Sequence, residues 1–468
     1  MSQPNSHKKV LTATDVTLYT VSAILLIDQI AMSAAVGPSA IFWWIVILLL
    51  FFLPNTLITA ELGATYPEQG GIYAWVRDAF GTRFGARIAW LYWINIALWM
   101  PAVFIMFSGI FATLFAPEMS LTAQIALGVF LCSVTALINC LALKHSKWIP
   151  ILGTPAKLIA FLTFAIAGLY HGIKNGFVND MSFILALENP MEGLSFLPVI
   201  VYGCLGIELV CSESDEIRDP SKNIPKAMFT AGLLTAVLYI ISTAGVLSAV
   251  PAEEIDMVDI IAVSLKQLFG GSAMGDLFAL VIGGLTLYTL FSTIVTWTLG
   301  GNRAMAEAAE AKEMPSIFSW THKQHQAPIG AAIMASVISS SILILYGVLA
   351  NNAEDLFWNL FSFSAIIFLM PYIAMHLAFI KLRLSDGKRY RPFKVPGGFT
   401  MGLMLSVLCI SILSAAIALF FWVPGNPFDF TLLLQVGGSV IITLIIGEVL
   451  VRLGEKARQS EQQANLAK

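Results

Sequence analysis

Three ionisable side chains lie where a membrane protein rarely places charge. Asp28 is the only charged residue between Val16 and Ala60. Lys157 is alone in a later apolar segment, and Glu208 lies in the segment after that. An ionisable group at the bilayer centre costs about 2.5–3.5 kcal/mol on insertion scales, so it normally faces a partner or a polar cavity. Together these residues predict a site or a route for a polar solute.

The rest of the 468-residue chain is strongly apolar. It is 57% hydrophobic and 12% charged, with a mean hydropathy of +0.81. Soluble domains carry about 25% charged residues, so the composition indicates a multi-pass membrane protein. The formal net charge of −3 gives no reason to expect a nucleic-acid partner. The sequence has no P-loop, no nucleophile–base pair and no metal-ligand spacing, so we expect neither an enzyme nor a bound metal or cofactor.

Spans of about 20 apolar residues predict membrane helices, and the chain contains twelve. The fold class is therefore all-α, with twelve transmembrane helices. The predicted segments are 15–36, 39–61, 88–116, 122–143, 149–172, 194–212, 227–250, 274–301, 329–350, 356–380, 400–423 and 430–451.

Lysine and arginine predict the orientation of these segments. All but three of the 26 basic residues lie in the termini and in every second loop. Lys174 and Lys266 lie on the other side, and Lys157 is within a segment. The positive-inside rule then places both termini, 1–14 and 452–468, in the cytoplasm, and we expect a bacterial inner membrane.

Two predicted cytoplasmic connections have patterns of their own. Residues 70–87 have apolar residues at helical spacing with charges between them, which predicts a short amphipathic helix at the membrane surface. Residues 303–328 are polar and rich in Ala and Glu, and we interpret them as a second connection of this kind.

Three motifs resemble the amino acid–polyamine–organocation permeases. The first is AELGATYPEQGGIYAWV at 60–76. The second is GIE at 206–208 followed by DPSKNIP at 219–225, and the third runs from GNRAM at 301 to Met314-Pro315. Their order and spacing follow the family, and the resemblance spans almost the whole chain. By eye it is greatest to the glutamate/GABA antiporter and polyamine permease branches.

The resemblance implies the leucine-transporter fold. Segments 1–5 (15–172) and 6–10 (194–380) would be inverted repeats, with segments 11 and 12 (400–451) appended. Segments 1 and 6 would be broken at mid-membrane and bind substrate there, moving against a scaffold of segments 3, 4, 8 and 9.

The residues agree with that expectation in part. Segment 6 carries Gly203 and Gly206 beside Glu208, which favours a break. Segment 1 has ILLIDQI at 24–30 in place of the usual glycines, so the sequence leaves its unwinding open. Asp28 and Gln29 would supply side-chain partners for freed backbone groups.

The resemblance also implies roles for single residues. Tyr202 aligns with an aromatic residue that lines the substrate site of a family member, and Glu208 aligns with a glutamate near it. Trp297 aligns with a tryptophan that stacks on the substrate. Aromatic faces attract an ammonium or guanidinium group by about 0.5–2 kcal/mol. The alternative for both aromatic residues is simple packing.

Lys157 matches a position where sodium-independent family members place an ammonium in the Na⁺ site of their sodium-coupled relatives. Its deprotonation would then replace ion release. The alternative is that Lys157, about ten residues from Lys147, extends to the cytoplasmic interface. His376, in the tenth segment, is more typical of a hydrogen-bonded core histidine than of a proton relay.

Asp28 bears on the class of substrate. If Asp28 is ionised and unpaired, it repels a carboxylate, and the substrate is an amine such as a diamine or an agmatine-like cation. If Asp28 is tied to Lys157, the pair is neutral and an ordinary amino acid fits. We favour the first interpretation slightly.

The sequence therefore predicts a secondary transporter of amino acids or their amine derivatives. It would be independent of Na⁺ and either proton-coupled or exchanging, and the protein would be a monomer or a homodimer. Asp28, Lys157 and Glu208 are the expected coupling residues. Asp28, Gln29, Tyr202, Gly203, Gly206, Glu208 and Trp297 are the expected substrate-binding residues. The alternative is a transporter-like membrane sensor or assembly subunit that binds an amino acid without moving it.

Overall fold

The structure, a computed structural model, describes residues 12–67, 70–141, 146, 148–181, 194, 197–324, 326–425 and 427–466. Helices dominate these residues. Some stretches are irregular: Ile207–Glu216 is a 3₁₀ helix, and π-helical turns occur at Leu48–Phe52 and Leu433–Gly437. The helices are α1 (Ala13–Ile24), α2 (Asp28–Ala35), α3 (Ala40–Thr65), α4 (Ile72–Phe80), α5 (Thr82–Phe115), α6 (Leu121–Asn139), α7 (Trp148–Asn175), α8 (Leu197–Gly203), α9 (Ile207–Glu216), α10 (Pro220–Ala249), α11 (Ile260–Phe269), α12 (Ala273–Glu310), α13 (Ile329–Leu349), α14 (Ala353–Ser385), α15 (Gly398–Leu419) and α16 (Gly438–Leu466).

Within the described residues, ten helices are long and apolar enough to cross a membrane, or eleven if α1 and α2 form one bent span. The sixth predicted segment is represented by a shorter apolar stretch, Leu197–Cys211. An all-helical multi-pass protein is therefore confirmed, but the count of twelve spans is not.

The polar connections differ in how well the sequence predicts them. The amphipathic helix expected within 70–87 is confirmed as α4, which buries Ile72 and Trp75. The Tyr73 hydroxyl of α4 donates to Glu313 Oε2 at 2.6 Å, and burial together with this carboxylate raises the pKa of Tyr73. The prediction that a separate connection begins at residue 303 is wrong for residues 303–310, because α12 continues to Glu310. Its Ala- and Glu-rich sequence consists of strong helix formers.

The helices differ strongly in burial. In α5 and α14, 72% of the most apolar window is buried, against 28% in α15 and α16. The two buried helices pack against each other, and α12 also packs against α5. This arrangement makes α5, α12 and α14 the centre of the bundle. Apolar side chains of the outer helices, such as Met404 of α15 and Ile441 of α16, are more than half exposed, which fits contact with lipid.

A buried ion cluster joins α3 to α14 at the ends of these two helices. Glu61 is 1% exposed and accepts hydrogen bonds from Arg383 on both carboxylate oxygens. Arg391 Nε lies 3.2 Å from Glu61 Oε1, and the Val395 N–H donates to Oε2 at 2.7 Å. Arg391 also donates to the Leu382 and Asp386 carbonyls at the end of α14. The cluster thus fixes α3, α14 and the chain leading into α15 to one another.

We expect Glu61→Gln to lower the free energy of unfolding in detergent by about 3–5 kcal/mol, because it leaves two arginines beside a neutral group in a buried site. Chemical denaturation monitored by tryptophan fluorescence measures the change. Glu455→Gln is the matched control, since Glu455 faces the half-exposed Arg83 at 3.7 Å and we expect a loss of no more than about 1 kcal/mol there. Equal losses in the two variants would contradict the assignment of Glu61 as a structural centre.

Candidate substrate site

The first predicted segment is broken in the middle. α1 ends at Ile24, α2 begins at Asp28, and the two helix axes differ by 53°. One side chain bridges the gap: the Tyr239 hydroxyl donates to the Ile24 carbonyl at 2.6 Å and accepts from the Leu26 N–H at 2.8 Å. The break therefore needs no glycine, because a tyrosine from α10 satisfies the backbone groups that unwinding frees.

Side chains from other helices also satisfy the last carbonyls of α1. Lys157 Nζ, on α7, donates to the Ser22 carbonyl at 2.5 Å. Trp297 Nε1, on α12, donates to the Ala23 carbonyl at 3.2 Å. The end of a helix carries partial negative charge, so an ammonium group is well placed there.

The alternative in which Lys157 extends to the interface is wrong. Lys157 is 2% exposed, and its ammonium group binds the broken first segment. Thr154, one turn earlier on α7, donates to the Ser22 hydroxyl at 3.0 Å and supports the same contact.

The sixth segment is broken opposite the first. α8 ends at Gly203 and α9 begins at Ile207. Gly206 has φ of +99°, a backbone conformation that favours glycine, and its N–H donates to the Tyr372 hydroxyl at 2.8 Å. Gly203 lies against Gln29, where an added Cβ would be 2.6 Å from the Gln29 Cδ. Gln29 Nε2 donates to the Val199 carbonyl at 2.8 Å, which joins α2 to α8.

We expect Gly206→Ala to weaken amine binding by about ten-fold or more, because φ of +99° strains a residue with a Cβ and costs roughly 1–2 kcal/mol. The new methyl group would also lie 3.3 Å from Ile24 Cγ2 and 3.4 Å from Trp297 Cη2. Gly284→Ala on α12 is the control, since nothing lies within 4 Å of its added Cβ. Thermal-shift titration of both purified variants measures the difference, and unchanged binding in Gly206→Ala would remove this glycine from the site.

Glu208 is held by two tyrosines. It is 2% exposed, and Oε1 accepts from the Tyr372 hydroxyl at 2.6 Å and from the Tyr92 hydroxyl at 2.8 Å. The other oxygen, Oε2, is buried without a hydrogen-bond partner among the described residues. Glu208 therefore has one fixed oxygen and one that is available to a ligand.

Asp28 is the first residue of α2 and is 1% exposed. Its Oδ2 has no hydrogen-bond partner in the described part of the chain. Lys157 lies within electrostatic range, but its ammonium bonds to Ser22, and the described residues contain no ion pair between the two. The tied Asp28–Lys157 pair is therefore not formed in this structure. The carboxylate lies instead at the positive end of a half-helix.

Aromatic side chains connect the two carboxylates. Asp28 lies beside the Trp99 indole, and the Trp99 ring centroid is 5.8 Å from that of Trp297. Trp297 stacks with Tyr92 at 6.4 Å, and Tyr92 in turn binds Glu208. The predicted residues Trp297 and Tyr202 both contact Phe368, at 5.9 and 5.4 Å.

The structure thus brings the predicted site residues together. Asp28, Gln29, Tyr202, Gly203, Gly206, Glu208 and Trp297 are all buried around the two breaks, with Lys157 at the end of α1. Three of them keep one unpaired acceptor oxygen each: Asp28 Oδ2, Gln29 Oε1 and Glu208 Oε2. A buried acceptor without a partner costs about 1–3 kcal/mol, so a ligand that donates hydrogen bonds would relieve this cost.

Sequence reasoning missed Tyr92, Trp99, Tyr239 and Tyr372. One signal was available: Tyr239 and Tyr372 lie well inside apolar segments, where a buried hydroxyl needs a partner. No group of three or more His, Cys, Asp or Glu residues in the described ranges is arranged to hold a metal ion.

Comparison with known proteins identifies relatives along almost the whole chain. The family described as "Amino acid permease" matches residues 11–450. A protein of Lactococcus lactis named a probable agmatine/putrescine antiporter is 31% identical over 93% of each chain. The human cystine/glutamate transporter is 23% identical over 78% of this chain and 70% of its own. A probable polyamine transporter of Arabidopsis thaliana is 22% identical over the same shares.

Among solved structures, a manganese transporter of Eremococcus coleocola matches 97% of this chain and 99% of its own, with a TM-score of 0.59 at 14% identity. This likeness concerns the fold alone, and it confirms the predicted leucine-transporter fold. Members of the matching family are membrane transporters rather than enzymes. The chain belongs to the amino acid permease family.

Proposed function

We propose that this transporter carries a cationic amine that lacks a carboxylate, such as a diamine or an agmatine-like guanidinium amine. The observation that carries the proposal is the buried Asp28 carboxylate at the start of α2, whose Oδ2 has no hydrogen-bond partner among the described residues. An amino acid substrate would bring its own carboxylate to the N–H groups at this half-helix end. With Asp28 already there, a second carboxylate would be repelled.

Two further unpaired oxygens favour the same class of substrate. Gln29 Oε1 and Glu208 Oε2 are hydrogen-bond acceptors, as is Asp28 Oδ2. An ammonium group has three donors and no acceptor, so it complements such a set. The rings of Trp297, Trp99 and Tyr202 are buried near the two breaks, and aromatic faces attract cations. Two separated carboxylates fit a substrate with a cationic group at each end.

The relatives support this choice. The Lactococcus lactis protein is named for agmatine and putrescine, and the Arabidopsis thaliana protein for polyamines. The human relative is named for cystine and glutamate, so an amino acid remains the competing substrate class.

We infer that transport is independent of Na⁺ and either proton-coupled or exchanging. Lys157 supports the first part, because its ammonium group already supplies positive charge to the last carbonyls of α1. Asp28 and Glu208 support the second. Each is a buried carboxylate that binds either a proton or a cationic substrate. Because the two compete for the same group, movement of protons is linked to movement of the amine.

The surrounding architecture completes the proposal. We propose a bacterial inner-membrane protein with cytoplasmic termini. Its inverted repeats would extend over 15–172 and 194–380, and the chain would act as a monomer or a homodimer. The uneven distribution of lysine and arginine supports the orientation. The two facing breaks support the repeat, since each lies in the first segment of one half.

Exchange in liposomes tests the proposed function. Purified protein is reconstituted into vesicles loaded with unlabelled putrescine or agmatine, and uptake of the same labelled amine is followed in choline buffer without Na⁺. We expect uptake above protein-free vesicles, competed by diamines but not by glutamate or leucine. Uptake of amino acids only, or a strict requirement for Na⁺, would refute the proposal.

A further inference from the structure

His376 is a buried titratable residue outside the substrate site. It lies on α14 and is 0% exposed, and neither ring nitrogen has a hydrogen-bond partner among the described residues. A neutral imidazole carries one donor and one acceptor. Leaving either buried and unpaired costs about 1–3 kcal/mol. The expectation of a hydrogen-bonded core histidine is therefore wrong.

Among the fully buried polar residues that share this feature are two on helices that pack against α14. Asn55 on α3 has both amide atoms unpaired, and Ser406 on α15 has an unpaired hydroxyl, within the described part of the chain. Both are 0% exposed. The cluster of His376, Asn55 and Ser406 thus contains five unpaired polar atoms from three helices.

Contacts between neighbouring helices place Ser406 at a depth close to that of Asn55 and to that of His376. Cys409 Sγ of α15 lies 3.9 Å from the Phe51 carbonyl of α3, and an added Cβ on Gly402 of α15 would lie 3.1 Å from Phe379 of α14. α15 is antiparallel to the other two helices. At 1.5 Å rise per residue, Asn55 lies about 6 Å along α3 from the Phe51–Cys409 contact. Ser406 lies about 4.5 Å along α15 from the same contact, in the same direction across the membrane. His376 lies about 4.5 Å along α14 from the Gly402–Phe379 contact, and Ser406 lies about 6 Å along α15 from it, again in the same direction.

The cluster lies on the same helix face as a residue of the substrate site. Tyr372, His376, Phe379 and Arg383 follow one another on α14 at spacings of four, three and four residues, which is one face of a helix. Tyr372 donates to Glu208, so His376 lies one turn from that hydrogen bond.

We propose that His376 binds and releases a proton during the transport cycle, and that Asn55 and Ser406 hold the water that delivers it. The proton passes from water to an imidazole nitrogen and returns to water, and no other bond changes. This inference rests on the proposed coupling to protons and adds a residue to it. Packing alone does not account for a polar cluster whose groups leave one another unpaired.

Ionisable groups lie on several of the elements around His376. The nearest carboxylates are engaged elsewhere, because Glu61 binds two arginines and Glu208 binds two tyrosines, and neither bonds to His376. The groups concerned are Tyr372 and Arg383 on α14, Glu61 on α3, Arg87 and Tyr92 on α5, Glu208 and Cys211 on α9, Cys409 on α15 and Glu448 on α16.

Two assays on the reconstituted full-length protein separate a proton-binding role from a structural one. The first is amine–amine exchange at equal pH on both sides, which needs no proton. The second is amine uptake driven by a pH gradient. We expect His376→Gln to lose about ten-fold or more in gradient-driven uptake while exchange stays within about two-fold, since glutamine forms hydrogen bonds but cannot bind and release a proton. His171→Gln, on α7, is the control and should change neither assay.

Each other outcome is decisive. If both activities of His376→Gln fall together, or neither falls, His376 has no proton-binding role. If His376→Gln does not fold, Ser406→Ala replaces it, and the inference requires its gradient-driven uptake to fall while exchange is kept. A wild-type protein that exchanges amines but ignores pH gradients would refute the proton coupling itself, and with it this inference, while the amine substrate class would stand.

Discussion

Asp28→Asn is expected to weaken binding of a cationic amine by at least about 100-fold, because it removes the carboxylate that would pair with the ammonium group of the substrate in a buried site. Asparagine has almost the same shape and also accepts at the start of a helix, so α2 should stay intact. Calorimetric titration of the purified variant with putrescine or agmatine measures the loss.

Asp276→Asn is the matched control, since Asp276 lies in the exposed first turn of α12. Its amine affinity should equal that of the wild type. Tight amine binding by Asp28→Asn would show that Asp28 does not recognise the substrate, and the amine class would lose its main support.

Lys157→Met is expected to reduce the transport rate by about 100-fold or more. It removes the positive charge at the end of α1 and leaves the buried Ser22 carbonyl without its donor. Methionine keeps most of the side-chain volume, so packing between α7 and α12 should be preserved. Initial rates of amine exchange in liposomes measure the effect.

Lys174→Met provides the control, because Lys174 lies at the exposed end of the same helix. We expect wild-type rates from it. Normal transport by Lys157→Met would contradict the role of the ammonium group in holding α1. A wild-type protein that needs Na⁺ would contradict it as well.

Much of the fold follows from composition and periodicity alone. Apolar runs locate the membrane-spanning helices, because a helix that crosses the bilayer must consist mainly of apolar residues. Their ends are less certain: α12 extends nine residues past the predicted 301, since its polar continuation still favours helix. Gly203 and Gly206 signal the break in the sixth segment, because glycine tolerates a positive φ.

The break in the first segment could not be read from its own residues. Leu25, Leu26 and Ile27 are ordinary helix formers, and the group that satisfies the gap, Tyr239, is more than 200 positions away. The same holds for Glu208, whose tyrosine partners come from α5 and α14. Such pairings depend on tertiary packing, which spacing along one chain does not encode.

Arg383 and Arg391 show a second limit. In the sequence they count toward the positive side of the membrane. In the structure both bind Glu61, so they also hold α3 to α14. A residue's contribution to topology therefore says nothing about its partner in the fold.

The amine class of substrate is tested most directly by a pair of ligands that differ in one group. Arginine and agmatine share the guanidinium and the alkyl chain, and only arginine has a carboxylate. Calorimetric titration of the wild-type protein without Na⁺ should show agmatine binding at least about 100-fold more tightly, because Asp28 repels the extra carboxylate. Equal affinities, or tighter binding of arginine, would contradict a site built around an unpaired Asp28.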